Sequence, residues 1–235
     1  MFDRILNSYL NQWISVGEMI QSSQMAELEK KLIGPSQAIN NRFRPIVESL
    51  QKSYPIKLTV LQFNDLPFCG SMGTADKAVL LVNEEDVNRL TDDELNFVLS
   101  HEWCHVIEKD APKSACIRQI FDMFQKFMIP IYAVFLIGNV RDVKSAAMPT
   151  LISGLAFLVI GKISQFTDRL LEKRTECRAD AFALRITHLS QDKLEKLFDK
   201  ISEKTSNPHT RSLVAYRRAQ LQREGEHPTV SVRNA

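Results

Sequence analysis

Hydrophobic and polar positions recur at two periods along this chain, and the change of period marks where helices give way to strands. From Phe2 to Ile14 the apolar residues Phe2, Ile5, Leu6, Tyr9, Leu10, Trp13 and Ile14 fall three and four apart, with Asp3, Arg4, Asn7, Asn11 and Gln12 opposite them. That is the pattern of an amphipathic helix, packed on its own domain or lying on a membrane surface. Further helices are predicted over about 24–33, stopping at Gly34-Pro35, and about 36–52, ending before Tyr54-Pro55. Residues 56–63 (IKLTVLQF) alternate and are rich in β-formers, so they read as a strand. Residues 68–73 (FCGSMG) read as a turn or short strand, 78–82 (AVLLV) as another strand, and 83–90 as a short helix. Thr91 stands three residues before Glu94, a capping box that opens a helix carrying Leu95, Val98, Leu99 and Val106. Helix is predicted again over about 163–187, 190–204 and 210–223.

Between these elements lie two uncharged stretches. Residues 127–140 (FMIPIYAVFLIGNV) and 145–161 (SAAMPTLISGLAFLVIG) run to 14 and 17 residues, flanked by Lys126, Arg141, Lys144 and Lys162. A lone spanning helix needs about 20 residues, with about 17 as the lower bound. The pair therefore reads as an apolar helical hairpin over 127–161 with a basic tip. Its apolar surface must be covered by lipid, by a partner chain or by the protein itself.

Composition narrows the class. With 235 residues, 44% hydrophobic and 25% charged, the chain is an ordinary globular one, long enough for a full core without staples. Lys and Arg total 30 against 28 Asp and Glu, which leaves no electrostatic footprint for nucleic acid. Cys69, Cys104, Cys116 and Cys177 form no CxxC pair. The first residues lack a basic stretch followed by an apolar run and a cleavage site, so the expected compartment is cytosolic, with reduced thiols.

The chemistry concentrates in the capped helix, at His101-Glu102-Trp103-Cys104-His105. Residues four apart stack on one helix face, so both imidazoles can reach one ion. Neutral imidazole suits Zn2+, and a catalytic site needs three protein ligands and an open position. Glu102 points away from the two ligands and beside a water on the ion, where it can take that water's proton. This is the HExxH pattern; taken alone, it is also met as a charged helix face with histidines at that spacing. The third ligand must come from elsewhere. Glu176 and Asp180, four apart in Glu176-Cys177-Arg178-Ala179-Asp180, could supply it and could hold a ligating histidine by its free ring N–H. By themselves they read equally as surface acids paired with Lys173, Arg174 or Arg178. Cys104 and Cys177 read as packing residues.

These residues resemble a family. TDDELNFVLSHEWCH is similar to the E-L-x-x-V-L-x-H-E-x-x-H helix of the HtpX-type and CAAX-prenyl-protease zinc metallopeptidases, and ECRADAFAL resembles their E-x-x-A-D-x-x-A pattern. His227-Pro228-Thr229-Val230-Ser231-Val232-Arg233 resembles their H-P-x-x-x-x-R signature. The chain departs from the pattern in having only the amphipathic helix where HtpX-type members have membrane helices. Trp103 and Cys104 also replace the small residues commonest inside the motif.

The resemblance implies a gluzincin: mainly α with a small antiparallel β-sheet, the apolar hairpin inserted between HExxH and ExxxD. It implies a helical segment over 1–54 and a metallopeptidase domain over 55–235. One Zn2+ on His101, His105 and Glu176 is implied, with Glu102 as general base and Asp180 and Arg233 as supporting residues. His227 would donate to the oxyanion or block the metal, and His209 competes with it for the first role. The expected substrate is a polypeptide, extended along an edge strand near 78–82. The expected setting is membrane-associated through 127–161 with a cytosolic catalytic domain, the alternative being soluble and cytoplasmic. The competing function is a non-catalytic scaffold or chaperone-like protein that keeps the fold.

Overall fold

The computed structural model describes residues 2–64, 68–74, 76–139 and 143–226. Helices α1 (Phe2–Lys31) and α2 (Gln37–Ser53) come first, then strands β1 (Lys57–Gln62), β2 (Cys69–Gly73) and β3 (Lys77–Val82). After them run α3 (Glu84–Val87), α4 (Asp92–Ile107), α5 (Asp110–Asn139), α6 (Val143–Thr187), α7 (Gln191–Lys204) and α8 (Pro208–Glu226). The fold is mainly α with one small sheet, as the sequence pattern and the resemblance imply. The predicted helices at 2–14 and 24–33 are one continuous α1. At Gly17 this helix comes so close to α5 that an added Cβ would lie 2.2 Å from the Pro112 carbonyl oxygen.

The sheet has the order β1-β3-β2, and this corrects two expectations. It is mixed rather than antiparallel, because β3 pairs with β2 antiparallel but with β1 in parallel. The segment 78–82 is not an edge: β3 is the central strand. AVLLV carries the reason in its lack of alternation. Leu80 and Val82 enter a core shared with α2, α4, α7 and α8, while Val79 and Leu81 pack on the opposite face against Met25 and Leu28 of α1. A strand covered on both faces is apolar at every position. The edges are β1 and β2, and β2 is the one beside α4: the Ser71 hydroxyl donates to the Glu102 carbonyl oxygen at 3.0 Å.

Helix α4 sits at the centre of the molecule. Its capping box forms, with Thr91 Oγ1 accepting from the Glu94 amide and the Glu94 carboxylate accepting from the Thr91 amide at 2.7 Å. Leu95, Phe97, Val98, Leu99, Trp103, Cys104 and Val106 are all buried. The helix is covered by the sheet and α2 on one side and by α6 on the other, so its motif is held by core packing on nearly every face.

The expected hairpin over 127–161 is the outer part of two much longer helices, α5 and the 45-residue α6, which turn back on each other. Arg141, at its tip, lies outside the described residues. Along α6 the side chains of Leu151, Ile152, Leu155, Leu158, Val159, Ile163, Phe166 and Leu170 are exposed, Leu158 to 67%. Among the described residues no helix is long and apolar enough to cross a membrane.

Candidate metal centre

Two helices and a helix end build the site. His101 and His105 project from α4 towards α6, where Glu176 meets them. The ligand atoms of the three residues all lie within 4.8 Å of one another. The two Nε2 atoms are 3.1 Å apart, and each is 3.4 Å from a Glu176 oxygen. Four-coordinate zinc with bonds of about 2.0–2.2 Å separates its ligands by about 3.3–3.5 Å, so this spacing suits such an ion.

The outward nitrogens are anchored. Nδ1 of His101 is 2.9 Å from Asp180 Oδ1, and Nδ1 of His105 is 2.9 Å from Asp110 Oδ2. If each Nδ1–H donates to its carboxylate, both Nε2 lone pairs and the Glu176 carboxylate converge on one point. Three acceptors facing one another could share a cation between them. The donor set therefore fits a metal ion.

Electrostatics follow from this crowding. Burial opposes a charged His105, but the carboxylates of Asp110, Glu176 and Glu102 outweigh it and push its pKa up to about 10. Burial and the Arg217 charge oppose a protonated His101, yet Asp180 and Glu176 raise it as well. Burial favours a neutral Glu176, but the two histidines and Arg217 hold it well below the usual carboxylate range. Asp180, with no exposed surface, is likewise lowered by Arg217 and His101 against the cost of its burial. The site keeps its anions charged and gathers cations around them.

Two residues here escaped the sequence reading. Arg217, buried on α8, donates from Nε to Asp180 Oδ2 at 2.7 Å, pairs through Nη2 with Asp180 Oδ1, and reaches Glu176 Oε2 through Nη1 at 2.8 Å. Its signal was positional: with Leu213, Val214 and Leu221 it falls on the buried stripe of an otherwise polar helix, where an arginine demands a partner. Asp110 is the other. Lys109 adopts a left-handed φ of 55°, ends α4 and turns the chain so that the first residue of α5 comes back to His105. Arg178 holds the other Asp110 oxygen. No spacing rule announces a contact made through such a turn.

The remaining candidates divide. Glu102 lines the cleft with His105 and Glu176. His209, at the start of α8, lines the same cleft and pairs with Glu172 at 2.6 Å. His227 and Arg233 lie outside the described residues. Cys104 is buried, and that burial raises its thiol to about 11, in keeping with a packing role.

A mainly α fold that brings HExxH histidines and an ExxxD glutamate together from two facing helices is the gluzincin arrangement of metallopeptidases. A family model for Peptidase family M48 matches residues 68–233, and the chain belongs to that family. The match opens at Phe68, beside β2, and runs through both ligand helices. No curated protein matches the chain.

Proposed function

We propose that this protein is a zinc metalloendopeptidase that hydrolyses a peptide bond of an extended polypeptide lying beside the free edge of β2. The observation that supports it most is the convergence of His101 Nε2, His105 Nε2 and a Glu176 oxygen, each histidine backed by a carboxylate. Bound zinc would make a water more acidic and polarise the scissile carbonyl. The chain's own residues do the rest. Glu102 accepts the attacking water's proton and passes it to the leaving amine. Asp180 and Asp110 keep both rings in the tautomer that presents Nε2. Arg217 keeps Asp180 ionised and fixed. Cys69, Gly70 and Ser71 of β2, with Phe68 just before it, line the clefts around the site, which supports an extended peptide adding itself along that edge.

The experiment is cleavage of a denatured protein substrate by the zinc-loaded chain and by Glu102→Gln. The amide keeps the shape but cannot accept the proton, so the variant should hold as much zinc as wild type and lose about 100- to 10,000-fold in kcat. Cleavage by the variant near the wild-type rate would remove Glu102 as the base.

The same reading puts the enzyme against a membrane on the cytosolic side, by surface contact of the α5–α6 arm. The exposed stripe on α6 supports this, and Lys126 and Lys162 flank its apolar segments. Flotation with vesicles of mixed zwitterionic and anionic phospholipid tests it. Recovery of the protein entirely in the lipid-free fraction, monodisperse without detergent, would defeat it.

A further inference from the structure

The cleft that holds Glu102, His105 and Glu176 does not end at the candidate metal centre. It has a volume of about 560 Å³, and its wall on α5 is formed by Asp110, Ala111, Ser114 and Arg118. A second cleft, of about 490 Å³, lies between α1 and α5 and is lined by Gln21, Gln24 and Gln119 together with the same Ala111, Ser114 and Arg118. The shared residues join the two into one trench that leads from His105 along α5 to a wall made by α1. That wall lies outside the family match, since α1 ends at Lys31 and the match opens at Phe68.

The sequence holds α1 against α5 at this place. Gly17 permits the close approach, because a Cβ there would lie 2.2 Å from the Pro112 carbonyl oxygen, and Glu18 pairs with Lys109 at 2.8 Å. One turn further along α1, Gln21 is buried on the trench wall. Its Nε2 donates to Gln24 Oε1 at 3.2 Å, which fixes the amide. Its Oε1 has no partner among the described residues. A buried acceptor without a donor is costly, so it points to a ligand that donates.

Resting on the peptidase reading above, we infer that the α1–α5 groove is a distant subsite that binds the backbone of the substrate polypeptide, about four residues from the scissile bond. The spacing follows from the helix. Gln119 lies about 13 Å along α5 from Asp110, the partner of His105, at about 1.5 Å per residue. An extended peptide with its reacting carbonyl at the ligand cluster covers that distance in about four residues, at about 3.4 Å each. Carboxamides pair with peptide N–H and C=O groups whatever side chains those residues carry. Arg118 and Asp122, both on the groove, leave it no net charge. The subsite therefore reads length and extended conformation, not sequence, and it favours unfolded stretches over short peptides.

Two measurements on the full chain decide the matter. In the first, the zinc-loaded protein digests a library of random peptides of about 16 residues, long enough to fill the trench, and mass spectrometry maps the cuts. Wild type should cut within about four residues of one end, always the same end, about tenfold less often than in the middle, as the loss of several amide contacts requires. Gln21→Leu keeps bulk in α1 but removes the acceptor, and Gln24→Ala with Gln119→Ala removes the two outer amides. Each should raise the share of cuts near that end about threefold, the scale of one lost hydrogen bond. In the second, fluorescence anisotropy follows the binding of end-labelled random peptides of about 16 and about 4 residues to the Glu102→Gln protein. The longer pool should bind about tenfold tighter, and adding Gln21→Leu, or the outer pair, should narrow the gap about threefold. Length-dependent binding that these substitutions weaken, without cleavage by wild type, would support the groove and refute the peptidase reading. Cuts spread evenly to both ends would overturn the groove and leave the peptidase reading standing. So would an end effect that both sets of substitutions leave in place in proteins of wild-type circular dichroism. Equal binding of the two pools, or none, would overturn the groove as well.

Discussion

Helix α6 is one continuous element whose two halves obey opposite rules. Its first half carries Leu151, Leu155, Leu158 and Ile163 in the open, whereas its second half buries Asp180 completely and Glu176 mostly. The contrast follows from what each half touches. The second half lies between α4 and α8, which supply His101, His105 and Arg217 as partners for its carboxylates. The first half runs along α5 and leaves those apolar side chains exposed. Burial is thus set by neighbours, not by local hydropathy. A charge held inside at such cost, with every oxygen of Asp180 engaged, marks a built site.

The sharpest way to break the contrast is to remove the deepest charge. Asp180→Ala would leave Arg217 buried without its main partner, and the loss should be about 3–5 kcal/mol in urea unfolding of the metal-free protein. Glu172→Ala, two turns earlier on the same face and 41% exposed, should cost no more than about 0.5 kcal/mol. Equal losses would mean that Asp180 is no more committed than a surface acid.

Next in size is the support of His105. Asp110→Ala frees its Nδ1, and zinc affinity measured by chelator competition should fall about 10- to 100-fold, with His105 itself intact. Unchanged affinity would reduce Asp110 to a partner of Arg178.

A smaller effect comes from Glu94, the capping-box acid of α4. Burial opposes its charge, but hydrogen bonds from Lys200, at 2.7 and 2.8 Å, and from Thr91 outweigh that and lower its pKa. A folded pKa below the unfolded value of about 4.3 adds stability that is present above that pH and is lost as pH falls through the folded value. Wild type should therefore exceed Glu94→Gln in stability at neutral pH, with the gap closing as pH falls through the folded value. A gap independent of pH would show that the carboxylate's charge is not what matters.

The smallest effect on stability belongs to the outer half of α6. Leu155→Gln with Leu158→Gln should change unfolding free energy by about 0.5 kcal/mol or less, since neither side chain is in the core. The same pair should reduce vesicle flotation severalfold, and unchanged flotation would separate the membrane contact from this stripe.

Much of this was legible in the residues. The capping box at Thr91 and Glu94 located α4, the i and i+4 spacing aligned His101 with His105, and ExxxD supplied Glu176 and Asp180. These are local features, carried by the geometry of one helix. AVLLV was legible too, but its unbroken apolar run called for a strand covered on both faces and so argued against an edge. What stayed hidden was long-range. Asp110 depends on a left-handed Lys109, and Arg217 depends on how α8 lies across α6. Neither follows from a repeat, although an arginine in the apolar stripe of α8 was a visible sign that an acid waits opposite.

The proposed chemistry needs one ion, which His101, His105 and Glu176 could hold. X-ray absorption at the zinc edge, on protein loaded with one equivalent, tests that most directly. It should report only nitrogen and oxygen neighbours at about 2.0–2.2 Å, including two imidazole rings, and Glu176→Ala should lose the ion on dialysis. A sulfur neighbour at about 2.3 Å, or a spectrum and zinc content unchanged in Glu176→Ala, would contradict it.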